Sequence, residues 1–301
     1  YLSVITLISV AIAGGLLAKA HAGGLQNWQL ALIGVLSLLG GSHLAVALVN
    51  RLSTFLVMPH LMPRMDFSKG IPPESRTLVV IPTMLTSIQN IEGLVEALEV
   101  RFLANRDQHL HFGLLTDFLD APEETTPEDE PLLQCALKRI GELNEKYGSA
   151  NGAPFFLFHR PRRWNPRERI WMGYERKRGK LADLNALLRG GFEDHFSAVL
   201  GETSVLSNVK YVITLDTDTQ LPRDSAWQLV GCMAHPLNRA VYDEDKQRIS
   251  EGYGILQPRV AVSLPGVNQS RYARLFGSEP GIDPYTRAVS DVYQDLFHEG
   301  S

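Results

Sequence analysis

The residues of this chain best placed to do chemistry are Asp216 and Asp218, at the end of Tyr211-Val212-Ile213-Thr214-Leu215-Asp216-Thr217-Asp218-Thr219. A short apolar, β-branched run of this kind reads as a strand buried on both faces, as in a parallel sheet. On an extended chain residues i and i+2 point to the same side. The spacing therefore predicts two carboxylates together at the carboxyl end of a central strand, where open α/β sheets bind ligands. Magnesium is typically held by one or two carboxylates plus substrate phosphates. The chemistry expected is a metal-bridged diphosphate, with Mg²⁺ or Mn²⁺ on Asp216 and Asp218.

The elements that must position this pair follow from the rest of the chain. Thr77 to Pro82 reads as a first buried strand, and His109 to Thr116 as a second. Ile88 to Arg101 carries apolar residues at helical spacing. Thr126-Pro127 reads as a cap followed by Pro at the first position of a helix running to Tyr147 and stopping at Gly148. Pro154 to His159 is a third strand, Lys180 to Leu188 a helix, Ser225 to Ala234 a helix, and Gly254 to Gln257 a further strand. Strands alternating with helices imply an α/β fold with a mainly parallel sheet covered on both faces. The ends of the first two strands then lie side by side, which makes Thr83 and Asp117 candidates to meet a base or ribose.

The segment from Arg160 to Lys180 is strongly basic. Most of it reads as a solvated or membrane-facing loop, Arg162 and Arg163 included. Lys180 is read differently, at the start of a helix and five residues before Asn185. A cation there can meet a diphosphate beside the helix amides.

Composition sets the frame. The net charge is −4 over 301 residues. Residues 1–58 contain only Lys19 and Arg51 as charged side chains, so the remainder stands at about −6. Nothing in that balance suggests a nucleic-acid partner. Two cysteines, Cys135 and Cys232, do not make a disulfide framework. Tyr1–Ala18 and Trp28–Val49 are each apolar enough to cross roughly 30 Å of hydrocarbon, joined by a short turn at His21–Asn27. Residues 1–58 are read as a transmembrane helical hairpin in a lipid bilayer, 59–76 as an interfacial linker rich in proline, and 77–301 as the α/β domain. Arg51, Arg64 and Lys69 after the second span place that domain in the cytoplasm by the positive-inside rule, with Lys19 opposing. The chain opens on Tyr1 and stops at Ser301 without a turn signal, which reads as an internal segment.

Lys180…Asn185 followed by Asp216-x-Asp218 resembles the nucleotide-sugar core of processive polysaccharide synthases with the GT-A fold. The wider wording is more specific. Ile81-Pro82-Thr83-Met84-Leu85, Lys177-Arg178-Gly179-Lys180-Leu181, Thr214 to Pro222, and Leu256-Gln257-Pro258-Arg259-Val260 resemble the synthase domain of bacterial cyclic β-1,2-glucan synthases. The resemblance covers nearly the whole chain, hairpin included. It implies an inverting glycosyltransferase in the bacterial inner membrane, with UDP-glucose as donor and, as acceptor, a growing β-1,2-glucan of the protein-linked kind the family makes. It implies metal or ribose contact for Asp216, metal for Asp218, uridine for Thr83 and Asp117, diphosphate for Lys180, and the sugar or acceptor side for Gln257 and Arg259. Tyr285, in a loop with two glycines and two prolines, is the candidate acceptor side chain for initiation. The family's acidic general base and donor-closing motif are not recognisable before Ser301, and its carbohydrate-phosphorylase domain is absent, so the domain reads as C-terminally incomplete. The competing readings are a β-1,4- or β-1,3-glucan synthase and a membrane-tethered nucleotide-binding module without transfer activity.

Overall fold

The computed structural model describes residues 2–56, 61–148, 152–191 and 195–258. It divides into two compact units, one containing residues 1–61 and 257–301, the other Met62–Leu256. In the first unit α1 (Leu2–Ala22) and α2 (Asn27–Leu56) are joined by a turn of four residues. Both are long and apolar enough to cross a membrane, and most of their surface is not covered by protein. The helices approach closely at Gly41, where a Cβ would stand 3.3 Å from a methyl of Ile12. Ser9 hides its hydroxyl by donating to the Ile5 carbonyl at 2.7 Å.

The second unit is an α/β fold. β1 (Thr77–Leu85), β2 (Leu110–Phe118), β3 (Phe155–His159) and β7 (Tyr211–Thr214) are parallel, and β6 (Ala198–Leu200) closes one edge antiparallel to β3. The order across the sheet is β6-β3-β2-β1-β7. The chain runs outward from β1 through β2 to β3, then returns to place β7 on the other side of β1. That reversal makes the carboxyl ends of β1 and β7 a topological switch point. The strands alternate cleanly. Val79, Ile81, Phe112, Leu114, Phe155 and Leu157 pack on α3 (Ile88–Ala104), α4 (Asp129–Tyr147) and α6 (Ser225–Ala234). Leu78, Val80, Leu115, Phe156 and Phe158 face Leu184 of α5 (Arg176–Leu188), with Phe196 and Leu206. Both faces are buried, which is why these strands read as continuous apolar runs.

α3 begins where Ser87 caps it, its hydroxyl accepting from the Asn90 amide at 3.1 Å. α4 begins at Asp129, two residues beyond the proline expected at its first position. Asp129 reaches back to accept from both the amide (2.7 Å) and the hydroxyl (2.9 Å) of Thr126. From Met62 on, the chain belongs to the second unit. Met65 donates its amide to the Gly231 carbonyl at 3.0 Å, and Arg64 reaches Gln228 at 2.7 Å. Both partners lie on α6.

Other features differ from the reading of the sequence, β7 first: expected as a central strand buried on both faces, it stands at one end of the described sheet and is half-exposed, because it pairs with β1 on one side only. A hairpin of β4 (Arg163–Asn165) and β5 (Ile170–Met172) occupies part of the basic segment. α5 starts at Arg176, so Lys180 sits in its second turn rather than at its start. The edge strand β6 lay unrecognised in a stretch with no sustained alternation. Gly254–Gln257 forms no strand: the late strands are β8 (Val241–Asp243) and β9 (Arg248–Glu251), which pair with each other. Ile255 there is 89 % exposed, so no burial drives that run into a sheet.

Candidate functional site

The register of the parallel strands brings the first set of candidates together. Thr83 stands opposite Thr116, and Met84 opposite Asp117, at the carboxyl ends of β1 and β2. Asp117 is 2 % exposed. A lone carboxylate buried that far would be costly, and two cations compensate it. Lys180 Nζ lies 2.7 Å from Asp117 Oδ1 and also donates to the Thr83 carbonyl. Arg160, immediately after β3, donates to Asp117 Oδ2 at 3.1 Å. Burial pushes the Lys180 ammonium below the usual lysine range, and the adjacent Asp117 carboxylate works against that shift.

The network extends outward. Arg160 also donates to Asp183 Oδ2 of α5 at 2.6 Å and to the Tyr174 carbonyl at 3.1 Å. Asp183 Oδ1 meets His195 Nδ1 at 2.9 Å. Two glycines make room for the cluster. A Cβ on Gly179 would stand 2.1 Å from the Tyr174 carbonyl oxygen and 3.1 Å from an Arg160 nitrogen. A Cβ on Gly173 would collide with Asp117 itself. Neither glycine lies at positive φ. They are needed for space and not for backbone freedom. At the margin, His159 is fully buried, its Nδ1 2.9 Å from the Thr116 hydroxyl. Burial pushes its pKa down to about 4, so the ring beside this cationic cluster is neutral.

Asp216 and Asp218 follow β7, which pairs with β1 as far as Thr214 opposite Val80. The strand stops before the aspartates. They lie in a turn closed by the Thr219 amide donating to the Asp216 carbonyl at 3.1 Å, not on an extended chain with both side chains to one side. The turn is held from behind by Arg101 of α3, which is 1 % exposed. Its guanidinium donates to the carbonyls of Thr217 (2.9 Å) and Thr219 (2.7 Å), and the Asp218 charge favours its protonated form against the cost of burial. Asn105, which caps the end of α3, holds the Leu221 carbonyl at 3.2 Å and the Ala226 amide at 3.0 Å. Asp216 is solvent-facing and takes an ion pair from Lys177.

As a donor set for a hard divalent cation, this turn fits. It offers carboxylate oxygens facing solvent, and Asp216 already attracts a cationic side chain. No cluster of three or more His, Cys, Asp or Glu that could hold a metal occurs among the described residues. Magnesium needs no such cluster, because it keeps several waters and shares substrate phosphates.

Most of the basic segment is exposed, as its composition suggests, with Arg163, Arg167, Arg169, Arg176, Lys177 and Arg178 all at the surface, but Arg160 and Arg162 are not. Arg162 is buried, at 5 % exposure, and forks onto Asp129 at 2.5 and 2.9 Å. Arg176 pairs with Asp120 at 2.6 Å, and Arg178 with Glu175 at 2.7 Å. Arg163 is exposed, and among the described residues its guanidinium meets His195, at 3.2 Å. Arg160, Asp183 and Arg101 escaped the sequence reading. The available signal for Arg160 was its position, directly after an uninterrupted apolar strand. Gln257 is exposed and falls outside the unit Met62–Leu256. Arg259 and Tyr285 lie outside the described residues.

Comparison with known proteins bears on what this arrangement is for. No protein-family model matches the chain. Over 264 residues, 87 % of its length, it is 43 % identical to the cyclic beta-(1,2)-glucan synthase NdvB of Rhizobium meliloti (strain 1021). The match spans 9 % of that protein's length. By its motifs and by this identity, the chain is a relative of the cyclic β-(1,2)-glucan synthases, matching one segment of such a protein.

Proposed function

We propose that this chain is the nucleotide-sugar-binding part of an inverting glycosyltransferase of the GT-A type. It moves glucose from UDP-glucose to a growing β-1,2-glucan at the cytoplasmic face of the bacterial inner membrane. The observation that carries this reading is the convergence of Thr83, Asp117 and Lys180 at the carboxyl ends of β1 and β2, beside the strand that leads to Asp216 and Asp218. The similarity to a glucan synthase supports the reaction class, and the two apolar helices support the membrane setting.

In this reading Thr83 and Asp117 orient the uridine. Lys180 is the cation nearest the nucleotide and turns toward the diphosphate as negative charge develops on the leaving group. Asp216 and Asp218 would hold Mg²⁺ or Mn²⁺, which neutralises the diphosphate. Direct displacement at the anomeric carbon turns an α-linked donor into a β-linked product, and a carboxylate must accept the proton of the attacking hydroxyl. Gln257 and Arg259 remain proposed for the sugar or acceptor side, and Tyr285 for initiation on the protein itself.

The test is Asp218→Asn in the full-length protein. UDP release from UDP-glucose should fall to the level seen with chelator, while thermal unfolding stays as in the unmodified protein. Turnover that is unchanged in the variant and insensitive to chelator would refute the metal assignment.

A further inference from the structure

We infer that Arg160, tethered by Asp183, is a positioning residue that fixes the Asp117 carboxylate for the donor nucleotide. The inference rests on the proposed function in taking Asp117 as a nucleotide contact. Arg160 has no free face of its own: it is 4 % exposed. One terminal nitrogen donates to Asp117 at 3.1 Å and to the carbonyls of Tyr174 (3.1 Å) and Arg176 (3.4 Å). The other donates to Asp183 at 2.6 Å. Its influence on a ligand therefore passes through Asp117.

Charge balance gives the arrangement its purpose. Asp117 and Asp183 face Arg160 and Lys180, two charges of each sign in a space closed by Gly173 and Gly179. When Lys180 turns to a diphosphate, Asp117 loses one of two cationic partners. Arg160 remains, so the buried carboxylate keeps a cationic partner and stays aimed. Asp183 supplies the matching counter-charge, which keeps Arg160 from swinging after the phosphate itself. The task requires a planar fork that reaches two carboxylates at once. A lysine ammonium is a point charge and cannot span them.

The experiment measures donor KM, kcat and inhibition by UDP on the full-length protein in membranes, with melting temperature alongside. Asp117→Asn should raise donor KM by about tenfold or more, the worth of one charge-assisted hydrogen bond. Arg160→Lys should raise KM by a similar factor with kcat changed much less, and Asp183→Asn should do so to a smaller degree. The double variant Asp117→Asn/Arg160→Lys should bind donor no worse than Asp117→Asn alone, because Arg160 then has nothing left to position. Arg178→Ala, at an exposed pair, serves as control. Multiplicative losses in the double variant, or an unchanged KM in Arg160→Lys, would overturn the positioning role. If Arg160→Lys does not fold, Asp183→Asn combined with Asp117→Asn decides by the same criterion. An unchanged donor KM in Asp117→Asn would instead remove the proposed site, and this inference with it.

Discussion

A Cβ placed on Gly173 would stand 2.0 Å from Oδ2 of Asp117. The end of the β4–β5 hairpin thus forms the wall against which that carboxylate rests. Gly173→Ala must displace either the backbone or a carboxylate tied to two cations. It should destabilise by about 1–3 kcal/mol, the usual cost of overpacking, and weaken donor binding as well. Gly93→Ala offers the contrast. Its Cβ meets nothing within 4 Å, and it lies in the interior of α3. It should stabilise by roughly 0.5–1 kcal/mol. Thermal unfolding of the solubilised protein separates the two, and a neutral Gly173→Ala would mean that Asp117 has room to spare.

Arg162 and Arg163 are neighbours with opposite fates. Arg162 is buried against Asp129, and its guanidinium holds that carboxyl below the usual carboxylate range despite the opposing effect of burial. Arg162→Ala leaves Asp129 partly buried and without its cation, and should cost about 3–5 kcal/mol. Arg163→Ala removes one exposed contact and should stay within about 0.5 kcal/mol. Denaturant titration of both variants measures the difference. Equal effects would show that the Arg162–Asp129 pair contributes nothing to stability.

Two buried histidines set an acid limb. Burial pushes both His111 and His159 from 6.5 down to about 4. The unfolded chain takes up these protons near pH 6.5, while the folded chain resists them until about pH 4. Stability is therefore complete above pH 6.5 and is lost as pH falls from 6.5 to 4, by about 3 kcal/mol per ring. Neither ring nitrogen of His111 has a hydrogen-bond partner among the described residues, so His111→Leu sacrifices none of the described bonds. It should flatten the pH dependence in that window by about half. The check is unfolding free energy at pH 7, 5.5 and 4.5; an unaltered slope in His111→Leu would show that this ring does not titrate as described.

Much of this protein was legible in local pattern. The apolar runs expected at 1–18 and 28–49 correspond to α1, which begins at Leu2, and α2, both of membrane-crossing length. The runs at 77–82, 109–116, 154–159 and 209–215 are the four parallel strands, give or take a few residues at each end. That strand set, plus the alternation with helices, is enough to bring Thr83 and Asp117 to adjacent strand ends. Each of these features depends on neighbours in sequence, through hydrophobic period and turn chemistry, so a single chain displays it. The likeness to glucan synthases was legible for the same reason, since short motifs at strand ends are local too.

Only the tertiary structure decided which charges are buried and with whom. Arg162 and Arg163 are indistinguishable as letters. One lies against Asp129, 33 residues away, and the other faces solvent. Arg160 acquires its place from Asp117 and Asp183 on two other elements, and Arg101 from the Thr217 and Thr219 carbonyls more than a hundred residues on. Glycines 173 and 179 look like loop punctuation until the atoms that crowd them are in place. A buried ion is tolerable only when its partners are assembled around it. That assembly is a property of contacts distant in sequence, so a basic stretch read by composition alone looks like surface.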